Sequence, residues 1–166
     1  MHLSALLRIK WFMDLSKTIT ASFSDSFRDF SERVHKLAEG LSEEQFWTHP
    51  YPYGNSFGHL CLHIMGNLNH FIGAKLEHTG YVRNRELEFT DPVHHPKGEV
   101  LANLDQTITM VIESLEKQTE QTWNLPFEVA GLEDVKDRFS IYLRVAAHFH
   151  HHIGQMIYLV KEWQKA

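Results

Sequence analysis

Apolar residues recur at three- and four-residue spacing through four long stretches of this chain, and Gly- or Pro-bearing breaks separate those stretches. That period is the signature of amphipathic helix, and no segment alternates in the manner of a strand. The first stretch runs from about 14 to 39 through Leu15, Ile19, Phe23, Phe27, Phe30, Val34 and Leu37. Asp14 is placed to cap its start, unless the helix reaches back through Leu7 and Trp11, and Gly40 stands where a terminating glycine belongs. A loop with Pro50, Pro52 and Gly54 follows, and Asn55 or Ser56 then caps a second helix expected to reach about His78, with Gly80 ending it. Residues 81–95 read as irregular. Pro96 opens a third helix over about 97–119, and after a break at 123–131 a fourth spans about 134–163. Four long helices predict an all-α chain, a four-helix bundle with long connections between helices 2 and 3 and between 3 and 4. Those connections are candidates for covering a site at one end.

Length allows one domain with a proper core, over 1–166, with 1–13 read as an N-terminal extension of uncertain structure. A formal charge of -5, with Lys and Arg scattered, argues against a nucleic-acid partner. The opening MHLSALLRIKWFMD is interrupted by Arg8 and Lys10 and lacks a small-residue cleavage site, so a signal peptide is not expected. No apolar run reaches about 18 residues, so no membrane span is expected. The single cysteine, Cys61, cannot form an internal disulfide and falls in the apolar sector of helix 2. It reads as a small core residue, and the chain as cytoplasmic.

Function is argued from histidines. Helix 2 carries His59, His63 and His70 with Asn67 on a polar stripe beside its apolar face, and helix 4 carries His148, His150, His151, His152 and Gln155. At about 100° per residue, His148 and His152 stack on one side of helix 4, one turn apart, while His151 points away from the core. An isolated histidine at the edge of an apolar face is ordinarily just hydrogen-bonded or half-exposed. Two such groups on separate helices are a different matter. If helices 2 and 4 pack side by side, His63 completes a triad with His148 and His152, and three neutral imidazoles suit zinc, nickel, iron or copper. Spacing does not exclude His59 as a ligand or His150 as a group behind one. His94 and His95 are loop residues, and Arg83 and Arg85 read as facing water rather than an anionic substrate. There is no phosphate-binding glycine loop, no G-x-S-x-G and no H-E-x-x-H.

Several segments carry a family resemblance. Leu41-Ser-Glu-Glu-Gln-Phe-Trp47, Pro50 and the run Asn55-Ser56-Phe-Gly-His-Leu-Cys-Leu-His63-Ile-Met-Gly66-Asn67 form the first group. With Gly80-Tyr-Val-Arg83-Asn84-Arg85-Glu-Leu-Glu88 and His148-Phe-His-His-His152-Ile-Gly154-Gln155, they resemble the DinB-like (YfiT-like) superfamily of metalloenzymes. More narrowly, they are similar to one of its uncharacterised-domain families, over about residues 25–162. The resemblance implies a four-helix bundle holding a divalent metal on His63, His148 and His152, with water in the open fourth position. It also implies thiol-dependent transferase chemistry of the bacillithiol or mycothiol type as one activity of the wider group, and a homodimer. His49 stands where that pattern has an arginine before Pro50.

The expectation is therefore a metal-dependent enzyme acting on a small electrophilic molecule, with a low-molecular-weight thiol or water as nucleophile. Zinc or nickel is the first choice of cofactor, and iron is compatible. Asn67, His59 and Gln155 are the candidate catalytic or orienting groups, with His59 the nearest guess for a base. The rival is a non-catalytic metal buffer or sensor. Substrate, general base and the roles of His59, His70, His94, His95 and His150 are left open.

Overall fold

The computed structural model describes residues 14–165. The 1–13 extension, and with it the question of whether the first helix reaches back to Leu7 and Trp11, lies outside the described residues. Within them the chain is helical, and no strand forms; Pro126 and Asp137 make one isolated antiparallel bridge.

Helix α1 spans Leu15–Glu39, and the Asp14 side chain accepts from the Lys17 N–H as expected of an N-cap. Gly40 is its C-cap, but with φ -81° it needs none of glycine's left-handed freedom. The short α2, Glu43–Trp47, lies between the first helix and the proline-bearing loop, where the sequence reading placed no element; Ser42 and Gln45 cap each other reciprocally and Phe46 and Trp47 are buried. Helix α3 begins at Phe57 with Ser56 as N-cap and ends at Leu68, short of the expected His78. A π-helical segment, Asn69–Ala74, replaces its last turns. There the Asn69 amide donates to the Met65 carbonyl and to the Thr107 hydroxyl of another helix, and the ladder slips to wider spacing, as in Lys75 N–H to the His70 carbonyl at 3.1 Å. Gly80, at φ +80°, turns the chain back.

Residues 81–95 are irregular except for α4, Leu87–Thr90. Helix α5 is Lys97–Glu116 with Pro96 at its N-cap position. It stops before 119 because Thr119 is extended and caps the short α6, Glu120–Trp123. Helix α7, Arg138–Trp163, starts four residues later than expected: Asp137, not Asp134, is the N-cap, accepting from the Ser140 N–H at 2.7 Å. Asp134 instead pairs with Arg144.

The long helices close on one another in the order α1, α5, α3, α7, each packed against its two neighbours. The core between them holds Phe27, Leu60, Ile64, Leu104, Val111, Phe149 and Ile153. These are the i, i+3, i+4 positions of the sequence pattern, and their removal from water is the main stabilising term. Cys61 is fully buried there, and burial pushes its thiol far up in pKa, so it is a core residue as expected. The connection after α5 lies over the aromatic group Phe23, Phe139 and Tyr142 through Trp123. The connection after α3 does something more specific: it delivers α4 onto the face of α3 that carries His63.

A candidate three-histidine metal centre

His63 from α3 meets His148 and His152 from α7. Their ligand atoms all lie within 4.8 Å of one another, the one group of three or more such residues that could hold an ion among the described residues. His63 Nε2 is 3.2 Å from His148 Nε2, and His152 Nε2 is 3.1 Å from it. Ligand nitrogens on a tetrahedral ion at metal–nitrogen distances of about 2.0–2.1 Å would stand about 3.3 Å apart. The spacing fits.

The outer ring nitrogens explain why the inner ones face each other bare. His63 Nδ1 is 2.8 Å from Glu88 Oε2, and His152 Nδ1 is 2.7 Å from Gln155 Oε1. An oxygen acceptor claims the Nδ1 proton in each case, so both Nε2 atoms present lone pairs inward. A neutral His148 can give its single inner proton to one neighbour and not to both. The remaining nitrogen pair is lone pair against lone pair, which a cation resolves.

Burial keeps this cluster uncharged. It pushes the His148 pKa down to about 3, with His152, His63 and Arg83 acting in the same direction. Burial likewise lowers His152 to about 4, against the hydrogen bond to Gln155, which favours the charged ring. Imidazoles that resist protonation are imidazoles free to ligate.

Glu88 and Arg83 belong to this centre, although Arg83 was expected to face water. Arg83 Nε donates to Glu88 Oε1 at 2.6 Å and its Nη2 to Glu88 Oε2 at 2.8 Å, a two-pronged pair that is nearly buried. Burial alone would raise the Glu88 carboxyl, but hydrogen bonds from Arg83 and His63 outweigh it and hold the group below the usual carboxylate range. Arg85 lies over the Phe89 ring instead. Sequence reading missed Glu88. An acidic residue in a single-turn helix gives no spacing signal, and only its place in the Gly80–Glu88 run marked it.

Two candidate groups flank His63 by one turn on α3. His59 is buried; its Nδ1 is 2.7 Å from the Ser56 hydroxyl and 3.4 Å from His49 Nε2. Its pKa is lowered by burial first and then by His49 and His94, with the Asp91 carbonyl acting the other way. Asn67 is also buried. The Asn67 Oδ1 and His59 Nε2 atoms are the buried side-chain polar atoms without a partner among the described residues. His94 stacks on Trp47 at 4.8 Å between centroids, and the His95 carbonyl accepts from the Trp47 indole, so this pair buttresses the loop. His150 packs on Phe30 and is exposed, as is His151, neither touching the inner nitrogens. His70 packs on Phe71.

Fold and centre together define an all-helical protein with a buried cluster of three imidazoles that could hold a metal ion. Residues 14–166 match the family model described as "Protein of unknown function (DUF1572)", and the chain belongs to that family. No curated protein matches it. No helix among the described residues is long and apolar enough to cross a membrane.

Proposed function

We propose that this chain is a divalent-metal-dependent enzyme of the DinB-like kind, a four-helix bundle built from α1, α3, α5 and α7. His63, His148 and His152 hold the ion, zinc or nickel before iron, since neutral imidazole favours these over oxygen-loving cations. The observation that carries the reading is the convergence of three Nε2 atoms, two of them turned inward by outer partners. An ion so held lowers the pKa of a thiol or water and makes it nucleophilic near neutral pH. The reaction is transfer of a low-molecular-weight thiol to a small electrophile, or hydrolysis of that electrophile. Cys61, buried and single, supports a reducing cytoplasmic setting, and the resemblance supports a homodimer.

The chain's own residues divide the remaining work. Glu88 and Gln155 hold the rings of His63 and His152 in one tautomer. Asn67, with no partner for its buried oxygen among the described residues, orients a polar small molecule beside His63. His59, kept neutral by burial, is the group that can exchange a proton next to the centre.

Elemental analysis of tag-free protein tests the reading. About one metal per chain is expected in the wild type and in His151→Ala, and none in His152→Ala. Equal metal in all three refutes it. Chelation is expected to empty the site while circular dichroism stays helical, because the core is complete without the ion. Global unfolding would assign the metal a structural role instead.

A further inference from the structure

Gly66 sits three residues after His63, hence on the same face of α3. A Cβ built there would lie 2.0 Å from Glu88 Oε1 and 2.6 Å from its Cδ, inside the space the carboxylate occupies. Glu88 therefore lies in a slot in the helix surface that exists because residue 66 has no side chain. From that slot Oε2 reaches His63 Nδ1 at 2.8 Å, and the far side of the carboxylate is gripped by both prongs of Arg83.

We propose that Glu88, seated in the Gly66 slot and gripped by Arg83, is the positioning residue that makes His63 a metal ligand. The inference rests on the metal-dependent reading above and goes beyond its three ligands. A carboxylate on Nδ1 fixes the Nδ1–H tautomer, locks the ring plane and enriches Nε2 in electron density. Arg83, donating from both prongs, holds the carboxylate where Oε2 reaches His63 and balances its charge. The pair is neutral as a whole, so it orients the ring without adding net charge to the centre. Gly66 acts only through Glu88.

A double-mutant cycle on the full chain separates this from a simple staple between α3 and the loop. Zinc affinity is measured by chelator competition for wild type, Glu88→Gln, Gly66→Ala and the double variant, with melting temperatures recorded zinc-free. Glu88→Gln, which keeps shape and loses charge, is expected to weaken zinc about 10- to 100-fold. Gly66→Ala is expected to weaken it by a similar factor, and the double variant no further than either single one. Zinc affinity unchanged in Glu88→Gln, or losses that add in the double variant, overturns the proposal. Nitrogen-15 spectra of the zinc-free protein give a second readout: His63 carries its proton on Nδ1 in the wild type and becomes a tautomer mixture in Glu88→Ala, which removes the acceptor. The same His63 tautomer in both also overturns it. A wild type that takes up no zinc would sink the metal-dependent reading, while the tautomer comparison still decides the role of Glu88.

Discussion

Acid should destabilise the metal-free protein through His148 and His152. Their pKa values in the folded chain are about 3 and about 4, against an ordinary value of 6.5, chiefly because both rings are buried. When the chain unfolds they return to the ordinary value, so below about pH 6.5 the unfolded state binds more protons than the folded state. Both folded values are depressed. The stability they contribute is thus complete above the unfolded pKa and is lost as pH falls toward the folded values. Going from about pH 8 to about pH 4.5, each fully shifted imidazole would remove on the order of 2.5 kcal/mol. His148 is partly open to solvent, and screening reduces the joint effect to about 2–3 kcal/mol. At about 2–4 °C per kcal/mol for a chain of this size, the midpoint falls by about 5–10 °C. Carboxylates elsewhere also respond to acid, so the assay is a difference. Thermal melts in chelator at both pH values compare wild type with His148→Asn/His152→Asn, which keeps polar side chains that do not titrate. The wild type is expected to lose about 5–10 °C more than the variant between the two conditions. Equal losses in both proteins would refute the argument that burial holds these rings neutral.

Two further outcomes test the packing that presents α3 and α7. Gly58→Ala brings a Cβ to 2.6 Å from two Trp47 ring carbons and 2.9 Å from Phe46 Cε1, so overpacking should cost about 1–3 kcal/mol in urea denaturation, and an unchanged midpoint contradicts the close fit of α2 on α3. Asp137→Ala removes the acceptor for the Ser140 N–H and hydroxyl at the start of α7 and should cost about 0.5–2 kcal/mol, read from the same denaturation curves; no loss means the helix end is satisfied otherwise.

The helices and the three imidazoles were legible because both follow a local period. Apolar residues at three- and four-residue spacing marked α1, α5 and α7, and the four-residue step from His148 to His152 put two rings on one side. Features set by contacts between distant segments were not legible. Nothing local to residues 69–74 announces a π-helical turn, since its wide bonding accompanies a hydrogen bond from Asn69 to Thr107 on another helix. Gly66 looks like any helical glycine until Glu88 is seen lying against it. Arg83 was assigned to water for the same reason: its partner is five residues away in a single-turn helix. The short α2 is a different case. Its Ser42-x-x-Gln45 capping signal is plain in the sequence, but five residues are too few to show a helical period.

His63 and His148 are 85 residues apart, and the second of them rides on the last helix. The centre therefore has no partial form in the growing chain: α1, α3 and α5 can pack while only one imidazole of three is present. Because synthesis delivers the N-terminal part first, the three imidazoles can converge only after α7 has been made and docked. A chain that halts before α7, or fails to seat it, cannot assemble the three-imidazole centre.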